Sequence, residues 1–300
     1  MGKLHLIHSP EHNGWVFDTS HPTQGRRYIN AREALLKEAK DAGIEVVELL
    51  PRVASKEELS RIHSLDYINS VIDEHYSNEW DGANAQLAHL ATLFAGGTLT
   101  ALELLLSGEA KSAIHFAGAK HHAQFDYSSG FCVFNDLAIA ADIATKDHGK
   151  KVAILDIDGH HGEGTENLTK ENPKVLTYSI HHYGIFPGTG EQDEAEFGIY
   201  NDPLTWDDGD DKLLLGVDRF IKLTKQFNPD LIFLAVGADG HKEDPLTGLA
   251  YSVDGISKAC RKVRESFPDH PLLMGGAGGY LPDTRTPEVW ANAALALANF

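Results

Sequence analysis

The chain has 300 residues, with Lys plus Arg totalling 26 and Asp plus Glu 44, so its formal net charge is −18. That length accommodates one large α/β domain or two ordinary ones, and 42% hydrophobic residues exclude a disordered chain. The acidity argues against a general nucleic-acid binder, because phosphate binding rests on Lys and Arg, while two cysteines exclude a disulfide scaffold and a Cys-rich zinc site.

Residues 4–7 read as a first strand, 30–42 as a helix stopped by Gly43, and 44–49 as a second strand. Ser55 and Glu58 have the spacing of a capping box and open another helix. Residues 83–106 form a long, largely apolar helical pattern interrupted by Gly96-Gly97. Glycines there weaken a helix, so a close-packed neighbour is the expected reason. Residues 112–116, 151–155, 175–180, 231–236 and 271–274 are short apolar runs without strict alternation, as in a parallel sheet covered on both faces. Helical patterns at 135–144, 211–227 and 254–265 lie between several of them. The expected architecture is a single α/β domain over residues 1–300, a doubly wound parallel sheet. The acidic stretches 191–196 and 207–211 read as solvated loops. The N-terminus lacks the apolar core of a signal peptide, no apolar run of spanning length stands out, and Gly2 lacks the rest of a myristoylation signal. A cytoplasmic setting without a membrane is expected.

Histidine is the unusual count at 17, with neighbouring pairs at His121-His122, His160-His161 and His181-His182. In parallel α/β sheets ligands gather beyond the carboxyl ends of the strands, and four polar groups follow such runs here. After 151–155 comes Asp156-Ile157-Asp158-Gly159-His160-His161-Gly162-Glu163-Gly164. Asp158 and His160 are two apart, so on an extended strand end they point to one side and supply zinc-type ligands. Asp156, in phase with them, would orient a histidine. Asp239 in Gly237-Ala238-Asp239-Gly240-His241 would be a third ligand, leaving one position open as a catalytic site requires. His121-His122 would supply a base and a partner that tunes it. The glycines of Gly275-Gly276-Ala277-Gly278-Gly279-Tyr280 let backbone approach a ligand, and Tyr280 would donate to a developing oxyanion.

Together these motifs resemble the zinc-dependent histone deacetylase family, which includes bacterial acetoin-utilisation-type and acetylpolyamine deacetylases. The matches run in order from His21-Pro22 and Arg27 through His63 and Tyr67, Ser129-Gly130-Phe131-Cys132, Asn135-Asp136, Phe186-Pro187-Gly188-Thr189-Gly190 and Asp244-Pro245-Leu246 to Tyr280. The resemblance implies an arginase-like α/β fold and one Zn²⁺ held by Asp158, His160 and Asp239. It makes His122 the general base, His121 its neighbour bonded to Asp156, and Tyr280 the group that polarises the amide carbonyl. Gly130, Phe131, Phe186 and Leu246 would wall a narrow acyl-lysine-like tunnel. Asp156, Asp158, His160, Ser179 and Ile180 match the family's inner monovalent-cation site, which would take K⁺ or Na⁺. The implied reaction removes an acetyl or other acyl group from a lysine side chain or a related small amine. Zinc suits it by lowering the pKa of water to about 7 and polarising the carbonyl.

Two positions depart from the family pattern. Glu163 stands where the family usually has Asp or Asn; it would reach His122 and make it more basic, shifting the pH optimum modestly. Asp81, counted back from Gly96-Gly97 without a gap, aligns with the rim Asp that grips substrate backbone, and reads equally well as an exposed loop carboxylate. The alternative functions are an arginase-like hydrolase with two metals and a non-catalytic acyl-ligand module. The first wants a second Asp where His241 stands; the second would have lost Tyr280, His122 or a ligand.

Overall fold

In the computed structural model, which describes residues 2–298, the apolar runs form the strands of one eight-stranded parallel sheet. In chain order the elements are β1 (Lys3–Ile7), α1 (Arg26–Ala42), β2 (Glu45–Leu49), α2 (Lys56–Leu59), α3 (Leu65–Ile72), α4 (Ala85–Leu106) and β3 (Ser112–His115). Then follow α5 (Asp136–Lys146), β4 (Val152–Asp156), α6 (Glu163–Thr169), β5 (Val175–His182), β6 (Ile199–Leu204), α7 (Asp210–Phe227), β7 (Leu231–Ala235), α8 (Val253–Ser266), β8 (Leu272–Gly275) and α9 (Arg285–Ala296). Across the sheet the order is β2-β1-β3-β8-β7-β4-β5-β6. The four central strands, β3, β8, β7 and β4, are buried at every position. This is what a continuous apolar run without alternation encodes.

The helices pack in two rows. α1, α9, α8 and α7 lie side by side, and α4 and α5 form a second row with α6. The Ser55–Glu58 capping box is present, but it opens only α2 before the chain turns into α3. α4 is long and apolar enough to cross a membrane by length and composition, more so than its sequence suggests at first reading, and 78% of its most apolar window is buried inside the fold. Its glycines mark close packing: a Cβ on Gly96 would lie 2.0 Å from the Arg52 carbonyl oxygen, and one on Gly97 2.4 Å from the His115 ring.

Besides α3, three elements escape the sequence patterns. β6 carries Asp202 and Pro203 and sits at the sheet edge, where a missing N–H is tolerated. α6 and α9 start without a side-chain cap, so neither has a local start signal. The 207–211 stretch is not simply a solvated loop. Asp210 opens α7, and its carboxylate accepts from the Ser252 N–H (2.8 Å) and hydroxyl (2.6 Å).

Candidate metal centre and active site

The chemistry-bearing residues leave the carboxyl ends of the four central strands. His121 and His122 follow β3, Asp158 and His160 follow β4, Asp239 follows β7, and Tyr280 follows β8. Because these strands are neighbours, side chains 159 residue numbers apart in sequence, from 121 to 280, meet above the middle of the sheet.

Asp158, His160 and Asp239 each bring a ligand atom to within 4.8 Å of the others. His160 Nδ1 lies 2.8 Å from Asp239 Oδ2 and 3.3 Å from Asp158 Oδ1. The two aspartates are fully buried. The geometry differs from the expectation of an extended strand end. β4 stops at Asp156, and Asp158 to His160 form a bend that turns both side chains inward. The bend is fastened by backbone donors: His160 N–H (2.9 Å) and Gly278 N–H (2.6 Å) to Asp158, and Gly159 N–H (2.8 Å) to Asp239. Gly278 has to lack a side chain, since a Cβ there would lie 2.4 Å from Asp239 Oδ2. Each carboxylate therefore keeps acceptor capacity after its backbone bonds. Two buried carboxylates facing one imidazole form an anionic cradle of oxygen and nitrogen donors, a set that suits Zn²⁺.

Charge within the cradle is uneven. Burial raises Asp239, and the neighbouring Asp158 charge adds to it. For Asp158 burial is outweighed by His121 and His160, which hold it well below the usual carboxylate range. Burial works against a charged His160, but bonds to Asp158 and Asp239 push it up to about 10. A bound cation would take the place of that proton.

Beside the cradle the two neighbouring histidines are driven apart. His121 Nδ1 is 2.6 Å from Asp156 Oδ2. Burial disfavours its charge, yet Asp156 and Asp158 push it up to about 9. His122 Nδ1 is 2.6 Å from Glu163 Oε2, and burial together with the His121 charge lowers its pKa despite that carboxylate. A proton is thus favoured on His121 and disfavoured on His122, the separation that marks one of two like groups as a base. The extra methylene of Glu163 is absorbed with full contact to His122.

A cavity of about 380 Å³ is lined by His122, Gly130, Phe131, His160, Ile185, Phe186, Leu246 and Tyr280. All four expected tunnel residues are there. Gly130 and Phe131 take φ of +56° and +65° in succession, and the Phe131 N–H donates to Glu79 Oε2 at 3.0 Å. Tyr280 is only partly buried. Burial and the charges of Asp239 and Asp158 hold its hydroxyl well above the ordinary value, keeping it a donor.

The register pairs Asp156 with Ser179 and places Ile180 next along β5, so the five expected cation-site residues lie on the adjoining strands β4 and β5 and the loop that follows β4. Asp81 is exposed and lies outside the cavity lining; the carboxylate that reaches the wall is Glu79. His241 turns to its own loop, its Nδ1 accepting from the Glu243 N–H at 3.2 Å. His161 pairs with Glu166 (2.8 Å) and Thr189 (2.8 Å).

Sequence reasoning missed three supporting residues. Besides Glu79 these are Asp244, whose two oxygens accept from the Leu246 (3.0 Å) and Tyr280 (2.8 Å) N–H groups and so tie two walls together, and Gln124, described below. Asp244 lies in a matched motif, which was the available signal; Glu79 and Gln124 carry none.

Residues 21–297 match the family described as histone deacetylase domain. The chain is 32% identical to the acetoin utilization protein AcuC of Staphylococcus aureus (strain MRSA252) over 99% of its own length and 82% of that protein. It is 33% identical to AcuC of Bacillus subtilis (strain 168), covering 97% and 81%. The solved HD domain of HDA15 superposes with a TM-score of 0.88 over 98% of this chain and 88% of that one, at 24% identity, so the fold is that arginase-like deacetylase fold. By its sequence and by the site its strands assemble, this chain belongs to the histone deacetylase family.

Proposed function

We propose that the protein is a zinc-dependent amide hydrolase that removes an acetyl or other acyl group from a lysine side chain or a related small amine. The observation that carries this is the junction of an anionic three-ligand cradle with a neutral buried histidine and a partly exposed tyrosine at the floor of one apolar cavity.

Asp158, His160 and Asp239 would hold the metal, which supplies Lewis acidity toward an amide carbonyl and a water. His122 takes the proton of the attacking water, because it is the histidine held neutral. Glu163 fixes its Nδ1–H and leaves Nε2 as the accepting atom. His121, kept charged by Asp156, adds positive potential where negative charge develops. The Tyr280 hydroxyl donates to the carbonyl oxygen as it becomes an oxyanion, a contribution of about 3–4 kcal/mol for donors of this kind. The leaving amine then receives its proton from the histidine pair. Phe131, Phe186 and Leu246 sheathe the apolar stem of the substrate and keep water from the reacting bond. The adjoining strand positions Asp156, Ser179 and Ile180 would take a K⁺ or Na⁺ ion.

The test is acetate release from acetyl-lysine substrates by the wild type, Tyr280→Phe and His122→Ala. The expected result is a fall in kcat of about 100-fold or more for each variant. Activity insensitive to both changes would remove these residues from the mechanism.

A further inference from the structure

We propose that Gln124 is a positioning residue that holds Glu163, and through it His122, in the working orientation; this rests on the deacylase reading above. Glu163 uses one oxygen on His122 Nδ1 (2.6 Å). Its other oxygen, Oε1, is 3.3 Å from Gln124 Nε2, and the same nitrogen donates to the His122 carbonyl oxygen at 3.1 Å. Both amide hydrogens therefore go to the histidine-carboxylate pair, one to each member. The opposite end of the amide is fixed as well, since Asn167 Nδ2 donates to Gln124 Oε1 at 3.1 Å. A carboxylate and a carbonyl on one side and an amide donor on the other allow only one orientation of the Gln124 amide.

The backbone of Gln124 is held equally firmly. Its N–H donates to the Tyr127 carbonyl (3.0 Å), and its carbonyl accepts from His63 Nδ1 (2.7 Å). His63 must donate there, because its Nε2 accepts the Asn135 N–H at 3.0 Å. That ring is thereby fixed as the neutral Nδ1–H form, in keeping with a pKa lowered to about 4 by burial.

The chemical reason for such a clamp lies in Glu163 itself. A glutamate has one more torsion than an aspartate, and each free torsion must be frozen before its carboxylate can orient a histidine. Gln124 freezes it by gripping the oxygen that His122 leaves unused. Asn167 extends the chain of hydrogen bonds to a separate surface groove of about 560 Å³, which it lines together with Arg61, Asp142 and Lys146.

The test uses Gln124→Met, which keeps length and removes both donors, and Asn167→Ala, an exposed position whose change leaves the core intact. Loss of a hydrogen bond to a charged group predicts that Gln124→Met lowers kcat about tenfold or more while KM stays within about twofold, with a smaller fall in Asn167→Ala. In a Glu163→Asp background the shorter carboxylate withdraws from Gln124, so Gln124→Met should add little further loss. A second readout needs no turnover: in metal-free protein labelled with ¹⁵N-histidine, the His122 Nδ1–H resonance should be sharp in wild type and broadened or lost in Gln124→Met. An unchanged kcat in a folded Gln124→Met protein, losses that simply add to those of Glu163→Asp, or an unaltered Nδ1–H resonance would each overturn the proposal. If the wild type cleaves no acyl-amine, the functional reading fails, and the NMR comparison still decides whether Gln124 orients His122.

Discussion

The Asp239 carboxylate lies 2.8 Å from His160 Nδ1, joining a residue that follows β7 to one that follows β4. Those strands are direct neighbours with residues 152–156 in register with 231–235. The metal cradle is therefore a consequence of strand order, and the groups around it make distinct, measurable demands.

Gly130 packs directly against the His122 ring in the cavity wall. Its φ is +56°, and a Cβ there would lie 2.4 Å from the His122 ring. Gly130→Ala is expected to displace the base as well as strain the loop. Activity should drop about 100-fold, the scale set by misplacing a reacting group by about 1 Å, while the far-ultraviolet circular dichroism stays that of wild type. Steady-state kinetics on the folded variant check this.

Glu163 supports a protonated His122 by hydrogen bond and charge, opposing the burial and His121 terms that lower it. Replacing it by Gln removes the charge, so His122 loses its proton at lower pH than before. The acid limb of the kcat/KM profile should move to lower pH in Glu163→Gln, and kcat should fall because a less basic imidazole is a weaker proton acceptor. Glu163→Asp, which keeps the charge but changes its reach, should shift the optimum modestly. Profiles that superpose with wild type in both variants would contradict this role.

Buried histidines outside the metal ligand set put a pH limit on stability. Burial lowers His63 to about 4 and His12 to about 3. In the unfolded chain both regain the ordinary value of about 6.5. Below that pH the unfolded chain binds protons that the folded one refuses, so stability is complete above about 6.5 and is lost as pH falls toward 4 and then 3. Each such residue costs at most about 1.4 kcal/mol per pH unit in that window. Urea unfolding at pH 7 and pH 5 should show the loss. His63→Asn, which retains a donor for the Gln124 carbonyl without a titrating ring, should flatten the slope.

The proposed function makes substrate choice depend on the wall. Phe186 and Leu246 are half-exposed at the mouth, and Leu246 is braced through its N–H by Asp244. Leu246→Ala should raise kcat/KM for longer acyl chains relative to acetyl, by a factor of up to about 10–200, the range for filling or emptying a small apolar pocket. A panel of acetyl-peptides, acetylpolyamines and longer acyl-lysines reads this out and identifies the preferred amine as well.

Much of this was legible in the sequence because the chemistry clusters where the pattern says strands end. Asp156, Asp158 and His160 sit within one short run after a buried strand, and Gly96-Gly97 signals its own close packing. The bend at residues 158–160 was not legible, because its direction is fixed by N–H groups of Gly278 and Gly159 reaching carboxylates far away in sequence. Glu79 and Gln124 escaped for the same reason, since Glu79 meets Phe131, and Gln124 meets Glu163 and Asn167, only across the fold. Asp244 stood in a matched motif, but its bond to the Tyr280 N–H is likewise long-range. Asp81 is exposed in the turn before α4, which fits either a rim carboxylate or a loop carboxylate, while that turn brings Glu79 to the wall.

The central claim is one zinc ion held by Asp158, His160 and Asp239 and serving hydrolysis at His122. Metal analysis combined with thermal unfolding tests it most directly. The account predicts one tightly bound Zn²⁺ per chain, a higher melting temperature with added zinc, worth about 2.7 kcal/mol at a hundredfold excess over Kd, and loss of metal, thermal shift and deacylation together in a folded Asp239→Asn protein. Two tightly bound Mn²⁺ ions per chain, or zinc uptake undiminished in Asp239→Asn, would contradict it.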